Sequence, residues 1–232
     1  MTKKVEDFYD EFTDTQLKAG LHERHILMYE KLLDLGLSNS SSILEIGAGI
    51  GMITSLIRRK VTYGNYLCND ISPKSLALNK KLNNQSNVRF EVGDIVDLNV
   101  DEKFDYITLF DVLEHIPSEQ HTSLFEKLKL LLNKNGVIFI NIPVPECLLY
   151  YHKFEPDSLQ VIDQPLFADE LIPKAYKANL VLNYFQTYDI WHKSEYQMMY
   201  FKHSFEWEPK RLPEKSGKLV RKIIRKIKGR PY

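Results

Sequence analysis

Three groups of residues in this chain have the types and spacing to do chemistry. The first is Leu44-Glu45-Ile46-Gly47-Ala48-Gly49-Ile50-Gly51, a carboxylate followed by three glycines at alternate positions. Glycines there let a chain turn tightly and bring its backbone close to a ligand. The G-x-G-x-G spacing differs from the G-x-G-x-x-G that seats a dinucleotide pyrophosphate at a helix start. Glu45 lies in an apolar, strand-like run, where a carboxylate is costly to bury without a partner. A ligand ammonium, held directly or through water, is a suitable one. The second group is Asp70, 19 residues after Gly51. A carboxylate at that distance can accept from both hydroxyls of a ribose, which disfavours a phosphorylated ribose. Taken alone, the glycine run also fits a tight turn with no ligand.

The third group is Asp111-Val112-Leu113-Glu114-His115, in which the two acids and the imidazole share one side of a helical turn. Two roles stay open. His115 could act as a general base on a hydroxyl, because its ordinary pKa lies near working pH. Alternatively Asp111, Glu114 and His115 could hold a divalent cation such as Mg2+, which would acidify and position a hydroxyl.

The elements that must position these groups follow from hydrophobic periodicity. Residues 18–36 have helical spacing and stop at Gly36, and Ile43 to Ile46 reads as a buried strand. A helix follows from Met52, then a strand over 63–69, then a helix capped by Ser72 with Pro73 in its first turn. Further strands are expected at 88–92, 106–110 and 137–142, with a helix over 119–133 and a turn at Asn135-Gly136. The segment 143–164 reads as a loop. A helix over 168–178 and strands near 180–189 and 195–206 close the pattern. Alternating strands and helices imply a Rossmann-like α/β fold, with a mostly parallel seven-stranded sheet, helices on both faces and an antiparallel last pair. Ligands then bind outside the carboxyl ends of the strands.

With these residues in place, ILEIGAGIG, the acid in NDISP, VGD at 92–94 and FDYITLFDVLEHI at 104–116 resemble the successive motifs of class I S-adenosylmethionine-dependent methyltransferases. The resemblance spans about residues 42–142. It implies that Gly47, Ala48 and Gly49 face the methionine part of S-adenosyl-L-methionine and that Asp70 holds its ribose. Asp94 and Ile95 would lie at the adenine edge, and Phe110 and Asp111 near the sulfonium. Glu45, Gly51 and Ile71 complete the expected cofactor set. The metal alternative resembles ubiquinone-pathway and small-RNA terminal methyltransferases, which carry E-x-x-E-H where this chain has the shorter Asp111. Asp163-Gln164, the Tyr188–His192 run and Tyr196-Gln197 resemble bacterial methyltransferases of surface-polysaccharide and sugar pathways.

The reading is therefore one methyltransferase domain over 1–208: a helical lid at 1–38, a cofactor core at 42–142 and acceptor-side elements at 143–208. Candidate acceptor groups are Arg24, His25, Tyr150, Tyr151, His152, Phe154, Tyr188, Trp191, His192, Tyr196 and Tyr200, rings with polar tips that suit sugars or small aromatics. The expected reaction moves a methyl group to a hydroxyl, or less readily an amine, of a small-molecule or glycan acceptor. The alternatives are an NAD-dependent oxidoreductase using the same turn and a non-catalytic scaffold. With 44% hydrophobic and 27% charged residues and two cysteines, the composition is that of a globular protein of a reducing cytosol. Residues 210–232 hold ten Lys or Arg against Glu214, so the other 209 residues carry 21 basic and 30 acidic groups. That acidic body excludes a broad nucleic-acid surface. Residues 216–229 read as a basic amphipathic helix for an anionic membrane surface, a partner or the protein's own body.

Overall fold

The computed structural model of the chain describes residues 8, 9, 13 and 16–209. The basic segment 216–229 lies outside the described residues, and among those described no helix is long and apolar enough to cross a membrane.

Helix α1 (Glu23–Asp34) leads to β1 (Ile43–Ile46), α2 (Met52–Lys60), β2 (Tyr66–Asp70), α3 (Pro73–Leu82), β3 (Val88–Val92) and β4 (Phe104–Phe110). A 3-10 turn at Leu113–His115 and another at Ser118–Gln120 precede α4 (His121–Leu131) and β5 (Leu132–Pro143). The chain continues through α5 (Pro145–Phe154), a 3-10 turn at Pro156–Ser158, α6 (Ala168–Lys177), β6 (Leu180–Tyr188) and β7 (Tyr196–His203).

The seven strands form one sheet in the order β3-β2-β1-β4-β5-β7-β6. Strands β1 to β5 pair in parallel, and β7 runs antiparallel to both β5 and β6. The fold is thus the expected α/β sheet closed by an antiparallel pair. Two apolar layers cover its faces. Met28 and Leu32 of α1, Ile53 and Ile57 of α2 and Leu76 of α3 pack on one; Leu124, Phe125 and Leu128 of α4 with Leu171 and Ala175 of α6 pack on the other. All four β1 residues are buried, as a central strand covered on both faces requires. Because β1 has β2 on one side and β4 on the other, crossovers leave its carboxyl end in opposite directions and open a crevice there.

Several boundaries differ from the sequence expectation. The strand expected from residue 63 starts at Tyr66, because the amides of Thr62, Tyr63 and Gly64 all donate to the Asn39 carbonyl and hold a turn. The helix expected over 18–36 is Glu23–Asp34; a separate helical stretch at 16–19 ends at Gly20, whose φ of +64° breaks it. The helix expected over 119–133 is His121–Leu131, and Asn135-Gly136 lies within β5 rather than in a free turn. The segment expected as a loop after residue 143 contains α5, which Pro145 starts by occupying its first turn, where no amide partner is needed. Ser72 caps α3 as expected, its hydroxyl accepting from the Ser75 amide at 3.0 Å.

Candidate active site

The glycine turn joins β1 to α2 with Gly47, Gly49 and Gly51 at φ of +68°, +50° and +89°. Only glycine adopts such angles without strain. Two of them are also sterically fixed. A Cβ on Gly47 would lie 2.2 Å from Val112 Cγ2, and one on Gly51 would lie 2.3 Å from both Asn79 Oδ1 and Asn83 Nδ2. The turn is tied to β2 by Asp70, which accepts from the Gly49 amide at 2.7 Å and from the Ser72 amide at 2.8 Å.

Glu45 is buried, and the structure gives it protein partners. Its Oε2 accepts from Thr54 Oγ1 at 2.7 Å and from the Tyr66 hydroxyl, with Cys68 Sγ at 3.9 Å. Burial pushes its pKa up to about 7, against the pull of the Tyr66 and Thr54 hydrogen bonds. The expected ligand ammonium is therefore not its sole source of compensation.

Two adjoining cavities open at this sheet edge. The larger, of about 480 Å³, is floored by Glu45 and residues 46–53, and walled by Phe110, Asp111, Glu114 and His115. The smaller, of about 90 Å³, contains Asp70, Ile71, Asp94 and Ile95, and shares Gly47, Gly49 and His115 with the larger. All the residues expected from the sequence to bind the cofactor thus line one or other of these two cavities. The acceptor side of the larger cavity is built by Asp163, which the sugar-pathway resemblance included, and by residues that the motifs did not single out: His22 from the N-terminal segment, Leu148 of α5, and Leu159 and Gln160.

Asp111 has φ of +55°, a strained angle for a residue with a Cβ. Its carboxylate is gripped by Arg24 in a two-bond fork, Nη1 to Oδ1 at 3.1 Å and Nη2 to Oδ2 at 2.8 Å. Arg24 also donates to the Tyr196 hydroxyl and lies 4.6 Å from the Tyr196 ring centre and 5.7 Å from that of Trp191. Burial works against the guanidinium charge, but Asp111 and the tyrosines outweigh it. Arg24 is therefore at the site, as is Tyr196. Tyr151 lines the cavity. Tyr200 instead stacks on Tyr184 and meets Phe139 edge-to-face within the sheet cover, and Tyr150 and Phe154 are exposed on α5.

His115 lies in the cavity wall, 7% exposed. Its Nδ1 is 2.5 Å from the Ile162 carbonyl and 3.1 Å from Asp163 Oδ1, and its Nε2 is 3.9 Å from Glu114 Oε1. Burial works to lower its pKa, but Glu114, Asp163 and the Ile162 carbonyl together raise it to about 9. At neutral pH the ring in this arrangement carries a proton rather than standing ready to take one. It ties the 159–164 segment to the turn after β4. Gln164 adds to the tie, its side-chain amide donating to the Glu114 and Ile116 carbonyls while its oxygen accepts from the Ser118 amide. Asp111, Glu114 and His115 do not converge on a point: among the described residues no three acidic, His or Cys groups form a metal-holding cluster. The Arg24 fork on Asp111 also competes with any cation there.

Residues 44–138 match the family model described as a methyltransferase domain. Over that segment the chain resembles a methyltransferase domain. Beyond the motifs, it resembles a malonyl-[acyl-carrier protein] O-methyltransferase of Calditerrivibrio nitroreducens, 32% identical over 104 residues that cover 45% of this chain and 38% of the relative. The chain spans about two fifths of the length of the curated relatives it matches. Among solved structures it shares its fold with an S-adenosylmethionine-dependent methyltransferase of Clostridium acetobutylicum, with a TM-score of 0.65, 15% identity, and coverage of 85% of this chain and 98% of that one. It also resembles the magnesium protoporphyrin IX methyltransferase of Synechocystis with bound SAH, with a TM-score of 0.62, 14% identity, and coverage of 87% and 86%.

Proposed function

We propose that this methyltransferase domain moves a methyl group from S-adenosylmethionine to a hydroxyl of a small-molecule or glycan acceptor. The observation that carries this reading is the left-handed glycine turn at Gly47–Gly51, pinned by Asp70 and flooring a cavity of about 480 Å³ whose other wall reaches past Asp111 to the acceptor side. The residues present suit the cofactor. Gly47 and Gly49 offer close backbone approach, and Asp70 lies at the end of β2 in the smaller cavity, where a carboxylate suits ribose hydroxyls. Ile71 and Ile95 provide apolar walls, and Asp94 lies beside them to accept from an amino group. When bound, the cofactor supplies an electrophilic methyl group on a sulfonium.

The chain's own residues position the partners, and orientation is the main contribution open to them. Arg24 holds Asp111 in its strained conformation at the cavity wall, and His115 holds the 159–164 segment over the acceptor space. With its pKa raised to about 9 by Glu114, Asp163 and the Ile162 carbonyl against burial, His115 is read here as a positioning group. The oxygen acceptor follows the O-methyltransferase name of the Calditerrivibrio relative.

Calorimetry with S-adenosylhomocysteine tests the cofactor assignment, and absence of binding overturns it. Transfer of labelled methyl from the cofactor is then screened against nucleotide sugars, lipid-linked glycans and quinone precursors, with and without chelator. Label found only in amine controls refutes the oxygen acceptor.

A further inference from the structure

Among the described residues, eight buried side-chain polar atoms have no hydrogen-bond partner, and five of them belong to residues lining the larger cavity. Folded proteins satisfy nearly all such atoms, so a cluster of exceptions in one cavity marks where a ligand completes the bonding. The five are Gln16 Oε1, His22 Nδ1, Arg24 Nε, Glu114 Oε2 and Gln160 Oε1. Arg24 Nε is a donor. The two amide oxygens and the Glu114 oxygen accept, and His22 Nδ1 accepts in the tautomer with hydrogen on Nε2. Gln16 lies over the glycine turn, its Oε1 3.3 Å from where a Cβ on Gly49 would be, and so belongs to the cofactor side. Three acceptor atoms are left for the other ligand.

Charge narrows that ligand further. The cavity wall carries the acids Asp111, Glu114 and Asp163 against the cations Arg24 and His115. Asp111 is spent on Arg24, and Asp163 on His115. Burial raises the Glu114 pKa to about 8, against the pull of the His115 charge beside it. Burial, with Arg24 beside it, lowers the His22 pKa, so that ring is neutral. Among the described residues, the cations facing the space are already paired with acids, Arg24 keeping only its Nε donor, which disfavours a carboxylate or phosphate there. Tyr151 and Tyr196 add ring surface to the same wall.

We propose that Glu114, Gln160 and His22 form a binding subsite for the hydroxyl groups of a neutral, polyhydroxylated acceptor such as a sugar ring. This rests on the methyltransferase reading of the cavity and names its acceptor class.

The test is saturation-transfer NMR on the full chain with S-adenosylhomocysteine present. The probes are methyl hexopyranosides and methyl 6-deoxyhexopyranosides, with catechol, putrescine and malonate as comparison ligands. Calorimetry with S-adenosylhomocysteine on the same samples keeps the two readings apart: if it fails, the cofactor assignment falls. The expected result is transfer to the glycosides and little to malonate. Glu114→Ala should weaken glycoside binding about tenfold or more, the loss of one hydrogen bond to a buried charged group. Gln160→Ala, on a less buried residue, should give a smaller loss and serves if Glu114→Ala does not fold. Tyr63→Ser, on the exposed surface, should change nothing. Intact S-adenosylhomocysteine binding overturns the subsite in either of two cases: when glycosides show no transfer or only the comparison ligands do, and when glycoside affinity is unchanged in both site variants.

Discussion

Replacing His115 with glutamine gives a quantitative test of the tie between the turn after β4 and the 159–164 segment. An unfolded chain titrates a histidine near 6.5, whereas in the fold His115 titrates at about 9. Between those values the folded state binds more protons than the unfolded state, so stability falls as pH rises. The contribution of His115 is complete below about pH 6.5 and is lost as pH passes through about 9. The shift corresponds to about 3 kcal/mol at most. Glu114 offsets part of the difference between the proteins. Its carboxyl, at about 8 in the fold, is held down by the imidazolium, so it titrates higher in the variant and acquires some of the same pH dependence. The net expectation is that wild type loses on the order of 2 kcal/mol more than His115→Gln between pH 6.5 and 9. Urea unfolding at both pH values measures this directly. Parallel losses in the two proteins would show that no protonated His115 holds the segment, and the positioning role would fall with it.

Other perturbations test the cofactor turn and the buried acid beneath it. Gly47→Ala forces a Cβ into Val112 Cγ2 at a left-handed angle. The combined backbone and overpacking cost is about 2–5 kcal/mol, so the melting temperature and S-adenosylhomocysteine affinity by calorimetry should both drop; unchanged affinity would move the cofactor elsewhere. Asp70→Asn leaves one oxygen where two carboxylate oxygens now accept from Gly49 and Ser72. Affinity for S-adenosylhomocysteine should fall about tenfold to a hundredfold, and an equal affinity in titration calorimetry contradicts the ribose assignment. Tyr66→Phe removes a hydrogen bond that lowers the Glu45 pKa, now about 7. A buried carboxyl with a raised pKa costs stability as pH rises through that value, so the variant's deficit should be greater at pH 8 than at pH 6, by about 1 kcal/mol. Chemical denaturation at the two pH values reads it out.

Local chemistry made the cofactor half of this protein legible in its sequence. Left-handed angles demand glycine, a strand ending in an acid demands a partner for that acid, and both requirements operate within a few residues. The run from Leu44 to Gly51, Asp70 and the Ser72–Pro73 helix start therefore announced themselves, and alternating apolar runs announced the sheet that carries them. The acceptor half was written across distances that no motif spans. Arg24 meets Asp111 from 87 positions away, and the Ile162 carbonyl reaches His115 across 47. The DVLEH spacing permitted a base or a metal ligand. Only the packed structure brought Asp163 and Ile162 to one ring nitrogen and Glu114 toward the other, and thereby left the imidazole charged. Burial, which depends on the whole fold, also decided that Glu114, in the cavity wall, would carry an unpaired oxygen. Sequence thus determined where a nucleotide-like cofactor can sit. Tertiary structure decided the protonation and pairing of the groups facing its partner, because those depend on neighbours that only folding supplies.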